Sequence, residues 1–179
     1  MALNNFPVLN SERLKLRQIM QEDLENIFNG LSHPEVIKYY GVSYKTIEET
    51  QGQIDWYKKL EENKTGIYWA ICSFDNSIFY GAGGLNNIDK ANKKAEIGFW
   101  LLPEFWKKGL MQEAFPLICK YGFDHLNLHR IEGFVESKNL SCKKSIEKME
   151  FIFEGTMRDC EIKNNKFVSI DMYSKLKTD

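Results

Sequence analysis

Three short stretches hold the residues whose types and spacing could do chemistry. The first, residues 95–102, reads A-E-I-G-F-W-L-L, a β-rich apolar run with one carboxylate, Glu96, embedded in it. A carboxylate among such neighbours is partly desolvated, which raises its pKa toward the range of a general base. It also fits a structural acid paired with Arg13, Arg17 or Lys94. The second stretch is the basic turn over 105–111, F-W-K-K-G-L-M, which follows Pro103 and feeds an apolar-periodic run from about Leu110 to Asp124. Unpaired N–H groups at a helix start attract an anion, Gly109 lets the backbone close around it, and Lys107 and Lys108 add positive charge. The same residues fit a plain solvated loop. The third stretch, Glu136-Ser137-Lys138-Asn139, precedes a helix predicted over 140–149 and supplies a second carboxylate, Glu136, with the hydroxyl of Ser141 and the thiol of Cys142 close behind.

The elements that must position these groups follow from periodicity. Residues 11–19 alternate, with Leu14 and Leu16 on one face, and read as a half-buried strand. Helices are predicted over 22–31, through Leu24, Ile27, Phe28 and Leu31, briefly around 36–40, and from Thr46 to about residue 62. The last opens on a capping box, with Glu49 reaching back to the Thr46 amide, and buries Ile54, Tyr57 and Leu60. Strands over 67–74 and 79–86, joined at Asp75-Asn76-Ser77, continue through a turn at 89–92 into the strand of Glu96 as an antiparallel meander. Gly81, Gly83 and Gly84 imply close approach of another backbone or a large side chain. A strand over 130–135 after the long helix implies a parallel pair with a right-handed crossover, and a ligand crevice at its carboxyl end. There, divergence of the two strands frees amides near Phe99, Trp100 and Leu101 to meet a developing oxyanion. Pro116, two turns into the helix, predicts a kink or a late helix start. A final hairpin, 151–161 and 167–174, leaves the last strand as an edge open to a second copy.

Composition excludes several classes. A net charge of -1 over 179 residues argues against a general nucleic-acid binder, and no apolar run approaches the roughly 20 residues that span a bilayer. The start M-A-L-N-N-F-P lacks a signal-peptide pattern, so a cytoplasmic protein of one domain, 1–179, is expected. Cys72, Cys119, Cys142 and Cys160 form no C-x-x-C pair, and His33, His125 and His129 form no metal-binding motif, so neither metal nor disulfide is expected.

The run E-I-G-F-W-L followed by P-E-F-W-K-K-G-L-M-Q-E-A resembles the GNAT superfamily of acetyl-CoA-dependent N-acetyltransferases. It is most similar to the RimJ/RimL-type branch, which acetylates ribosomal-protein N-termini. The resemblance implies an α/β fold with a mixed, mostly antiparallel sheet of about seven strands flanked by helices. In the family's Q/R-x-x-G-x-G/A turn, which holds the coenzyme A pyrophosphate, this chain has Trp106, Lys107, Lys108, Gly109, Leu110 and Met111. Its central glycine is kept; Trp106 and Met111 depart from the pattern. In the N-x-x-A/S motif it has Asn139, Leu140, Ser141 and Cys142, and the resemblance places the Asn139 side chain against the pantetheine arm or its loop. Many relatives use a tyrosine as proton donor to the thiolate where this chain has Ile146; here the Cys142 thiol or the Ser141 hydroxyl could donate a hydrogen bond to the sulfur, or a protonated amine or a water could do that work. The acceptor implied is a protein N-terminal amine, with a small amine such as a polyamine or aminoglycoside as the alternative. A non-catalytic acetyl-CoA sensor is a further alternative. Tyr39, Tyr40, Tyr44, Trp56 and Tyr57 could line the acceptor site, and Glu48, Glu49, Asp55, Glu61 and Glu62 leave a polyamine pocket open.

Overall fold

The computed structural model describes residues 6–179; residues 1–5, on which most of the reading of the N-terminal start rests, lie outside it. The strands are β1 (Leu9–Asn10), β2 (Leu14–Gln18), β3 (Ile67–Ser73), β4 (Phe79–Asp89), β5 (Lys94–Leu101), β6 (Arg130–Glu136), β7 (Ile152–Lys163) and β8 (Lys166–Leu176). The helices are α1 (Leu24–Leu31), α2 (Pro34–Ile37), α3 (Ile47–Glu62), α4 (Leu110–Asp124) and α5 (Leu140–Lys148). All eight strands form one sheet in the order β1-β2-β3-β4-β5-β6-β8-β7. The strand beyond the expected seven is the two-residue β1.

Alternation along the strands divides the core between the two faces of the sheet. Leu14, Leu16, Trp69, Ile71, Ile97 and Ile131 pack with α4 and α5 on one face. Tyr68, Ala70, Ala82 and Trp100 pack on the other, under Ile27 and Leu31 of α1 and Ile54, Tyr57 and Leu60 of α3. The α3 cap forms through Thr46, whose hydroxyl accepts the Glu49 N–H at 3.2 Å. The Glu49 carboxylate, however, accepts from the Lys45 amide at 3.0 Å, one residue before the expected partner.

Two sequence expectations need correction. Helix α4 starts at Leu110 and runs unbroken through Pro116 to Asp124, so the late start does not occur. Pro116 and Gln112 are both exposed, so the Gln112 carbonyl left without a donor faces solvent rather than the core. The last strand is also no edge. β8 is inserted between β6 and β7 and pairs antiparallel with both, so the free edge belongs to β7.

An ion cluster ties this end of the sheet together. Arg130 of β6 binds Glu132 on its own strand and Glu154 of β7, the second contact spanning the intervening β8. Its guanidinium, with the Ser174 hydroxyl, holds the Glu154 carboxyl down to about 2. A depressed carboxylate pKa stabilises the fold at neutral pH, and that contribution is lost as the pH falls below the ordinary glutamate range toward about 2. The drop in Tm between about pH 5 and about pH 2 should therefore be shallower in Glu154→Gln than in the parent, measured by thermal melting.

Candidate active site

The site begins where β5 and β6 part. Their parallel pairing covers Lys94↔Arg130, Ala95↔Ile131 and Glu96↔Glu132, and beyond these the strands diverge. On the other side of β5, the Leu102 N–H donates to the Tyr80 carbonyl at 2.9 Å. Antiparallel pairs alternate between bonded and non-bonded, and the β4–β5 register is regular here. The amides of Trp100 and Gly98 therefore turn to β4, while those of Phe99 and Leu101 turn into the opening. Of the three residues expected to offer a free amide, Phe99 and Leu101 fit. Trp100 instead sends its side chain into the α1–α3 core, where Gly30 leaves room for the indole.

The turn before α4 closes the cleft at one end. Lys107 has φ 62° and Gly109 φ 76°, both left-handed, which curls successive N–H groups toward one point. The first amides of α4, from Leu110 on, lack helical acceptors and extend that cradle. Two contacts brace the turn. The Trp106 indole N–H donates to the Leu101 carbonyl at 2.8 Å, and Arg13, held by Glu113, donates to the Lys108 carbonyl at 3.2 Å.

Helix α5 forms the facing wall. Asn139 caps it, its side-chain oxygen accepting the Cys142 N–H at 3.1 Å, which leaves its NH₂ group to face the cleft. Lys138, Ser141, Cys142, Lys144, Ser145 and Lys148 also line this cavity of 930 Å³. With Lys38, Lys107 and Lys108 that makes six lysines against two carboxylates, Glu35 and Glu136. The Glu136 carboxylate is itself engaged. Lys163, from the β7–β8 hairpin, donates to it at 3.2 Å and to the Lys38 carbonyl at 2.6 Å, strapping the hairpin across to α2. Burial pushes the Cys142 thiol up to about 12, so it holds its proton at neutral pH. Ile146 points away from the cleft into the core, against Gly133.

A second cavity, of 550 Å³, opens on the α1–α3 side and shares Tyr40, Ile97, Gly98 and Phe134 with the first. Tyr44, Gln53, Trp56, Asn86 and Glu96 complete its working surface, and Glu96 is its single carboxylate. The three cations named as partners for Glu96 are all taken elsewhere: Arg13 by Glu113, Arg17 by Asp23 and Lys94 by Glu132. Among the described residues, the hydrogen bond at Glu96 is a long one from the Asn86 NH₂ group, at 3.4 Å. Glu48, Glu49, Asp55, Glu61 and Glu62 do not line this cavity.

The catalytic and cofactor candidates other than Glu96 line the first chamber, with Tyr39; Glu96, Tyr44 and Trp56 line the second, and Tyr40 lines both. Tyr57, expected to line the acceptor site, is instead buried in the α1–α3 core, where its ring packs on Tyr68. Lys138, Lys144, Ser145 and Lys148 were not foreseen. The spacing of Lys144, Ser145 and Lys148 places them with Ser141 on one face of α5, a signal present in the sequence, while Lys138 lies in the loop before the helix. A basic cradle of backbone N–H groups joined to a slot with free strand amides fits a pyrophosphate on an extended arm. The cleft ends at a carboxylate in an aromatic chamber. Among the described residues no cluster of histidine, cysteine or acidic side chains could hold a metal.

Comparison with known proteins agrees with this geometry. Residues 13–152 match the family model described as an acetyltransferase (GNAT) domain. The chain is 34% identical over 173 residues to the uncharacterized N-acetyltransferase YoaA of Bacillus subtilis, covering 96% of this chain and 98% of the relative. It is 26% identical to the spermidine N(1)-acetyltransferase of Escherichia coli K12, over 80% of this chain and 75% of that one. Among solved structures, RimL, a ribosomal L7/L12 alpha-N-protein acetyltransferase in complex with coenzyme A, superposes with a TM-score of 0.85 at 19% identity, covering 95% of this chain and 98% of the other. With a split parallel pair, an amide cradle and a family match over most of its length, the chain belongs to the GNAT acetyltransferases and is an N-acetyltransferase.

Proposed function

We propose that this enzyme acetylates protein N-terminal α-amines, with Glu96 as the general base. The observation that carries the reading is Glu96 itself: one carboxylate without a cationic partner among the described residues, in an aromatic chamber continuous with the cofactor cleft. A polyamine brings two or more positive charges and calls for several carboxylates, whereas an α-amine brings one. An α-amine has a pKa of about 7.7 to 8.0 against about 10.4 for lysine, so one carboxylate, directly or through a water, suffices to take its proton.

Acetyl-CoA supplies the activated acetyl group. The Gly109 turn and the lysines of α5 hold its phosphates, and the Asn139 NH₂ group reaches the arm between β5 and β6. The Phe99 and Leu101 N–H groups point to where charge gathers on the carbonyl oxygen. Ser141 or Ser145 can donate a hydrogen bond to the departing sulfur. Cys142 stays protonated, which favours direct attack by the amine over an acyl-enzyme. The relative named for spermidine motivates a second reading, a small polyamine acceptor.

A thiol-release assay with acetyl-CoA tests the reading against peptides with free N-termini, spermidine and an aminoglycoside. Peptide turnover is expected; turnover of spermidine alone would overturn the acceptor class. The cradle can be tested separately. A Cβ on Gly109 has room, the nearest atom being an Arg13 guanidinium nitrogen at 3.6 Å, but φ 76° is strained for alanine by about 1 kcal/mol. Gly109→Ala should therefore raise KM for acetyl-CoA about fivefold with kcat little changed, read from initial rates.

A further inference from the structure

We propose that Tyr68 and Asn86 form a positioning pair that fixes the orientation and the charge state of Glu96. The inference rests on the reading of Glu96 as base. Asn86 and Glu96 are directly opposite each other on β4 and β5. The Tyr68 hydroxyl donates to the Asn86 side-chain oxygen at 3.1 Å, and the Asn86 NH₂ group donates to the Glu96 carboxylate at 3.4 Å.

The sheet is built to allow this reach. Tyr68 lies on β3, one strand beyond β4, and its ring must cross β4 to arrive over β5. Gly84 and Gly98 are register partners on those two strands. A Cβ on Gly84 would collide with the Tyr68 backbone and ring, and one on Gly98 with the Tyr68 hydroxyl. Paired glycines thus leave a bare floor along which the phenol extends. Tyr57 and Trp56 pack on its ring with centroids at 5.1 and 5.2 Å, which closes the channel from above.

The consequence is chemical. An amide side chain can turn either its oxygen or its NH₂ group toward a neighbour. A tyrosine hydroxyl that is a donor on one side claims the oxygen, so the NH₂ group must face Glu96. Burial raises the Tyr68 pKa, so the hydroxyl keeps its proton across the working pH range. A donor aimed at a carboxylate favours its ionised form, the form a base needs.

The groups around Glu96 leave this role to Asn86. From β5 comes Lys94 and from β6 Arg130, both bound to Glu132, the cross-strand neighbour of Glu96. From the α2–α3 side come Tyr40 and Tyr44, whose hydroxyl pKa values are raised by burial, with uncharged Gln53 and Trp56.

The test is the pH dependence of kcat/KM for a peptide acceptor at saturating acetyl-CoA, in the parent, Tyr68→Phe, Asn86→Asp and Glu96→Gln. Tyr68→Phe keeps the buried ring and lets the amide turn its oxygen to Glu96. Its acid limb should move up by about one pH unit, with KM for acetyl-CoA unchanged. Asn86→Asp sets a second carboxylate beside the first and should move the limb further. Thermal melting checks that both variants fold, and Asn86→Asp, at a half-buried position, remains informative if Tyr68→Phe does not fold. An acid limb that stays in place in both variants, while Glu96→Gln is impaired, overturns the positioning role alone. Parent-like activity in Glu96→Gln overturns the base and the positioning role together.

Discussion

Glu96→Gln is expected to lower kcat/KM for the amine by about 10² to 10³-fold while KM for acetyl-CoA stays within about twofold. Glutamine keeps the size of the side chain and an oxygen for the Asn86 NH₂ group, so the change removes basicity and little else. The β5–β6 register and the slot beyond it do not depend on that charge, which is why cofactor affinity should survive. The variant's remaining rate should climb with pH as more of the acceptor is already deprotonated, through the α-amine range of about 7.7 to 8.0. Thiol release followed from about pH 6 to about pH 9 reads both features. A variant with the parent's rate and profile would remove Glu96 from the mechanism.

The second large effect is expected at α5. Lys144 and Lys148 are one helical turn apart on the wall of the cofactor cavity, and among the described residues neither has a carboxylate partner. Neighbouring lysines differ: Lys143 is paired with Asp171 and Lys163 with Glu136. Lys144 and Lys148 are exposed, and an exposed cation about 4 Å from a phosphate contributes about 1 kcal/mol, so the double change Lys144→Gln, Lys148→Gln should raise KM for acetyl-CoA about 30-fold. The kcat value should stay within about threefold, because these groups are remote from Glu96. The parent KM should also rise with added salt more steeply than that of the variant, since screening removes what the substitutions have already removed. An unchanged KM would show that the phosphates lie elsewhere.

Much of this was legible in the chain because local signals agreed with the fold. The apolar run around Glu96, the basic glycine turn and the periodicity to Asp124 each rest on neighbours within a few residues, and α4 has the expected bounds. What could not be read were facts about partners distant in sequence. Whether Arg13, Arg17 or Lys94 would neutralise Glu96 depends on Glu113, Asp23 and Glu132, brought together by the sheet. The Tyr68 reach depends on two glycines 14 residues apart becoming register partners. The position of β8 differs from the expectation because a terminal hairpin does not say which of its strands pairs with β6; the last strand does, and the first takes the outer edge. The late start at Pro116 does not occur because the cost of a helical proline depends on whether the freed carbonyl can reach water, a question of exposure rather than of sequence.

That outer strand bears on how the molecule behaves in a crowded solution. A free edge as long as β7, with Ile152, Met157 and Ile162 exposed, is the kind of surface on which chains stack into aggregates. This one is spoiled along its middle. Its pairing with β8 slips between Phe153 and Gly155 and again between Met157 and Glu161, and Asp159 adopts a left-handed backbone at φ 49°. Arg158, Asp159, Glu161 and Lys163 crowd charge into the same segment. An incoming strand finds no straight run of donors and acceptors to extend, which works against edge-to-edge stacking of one copy on another.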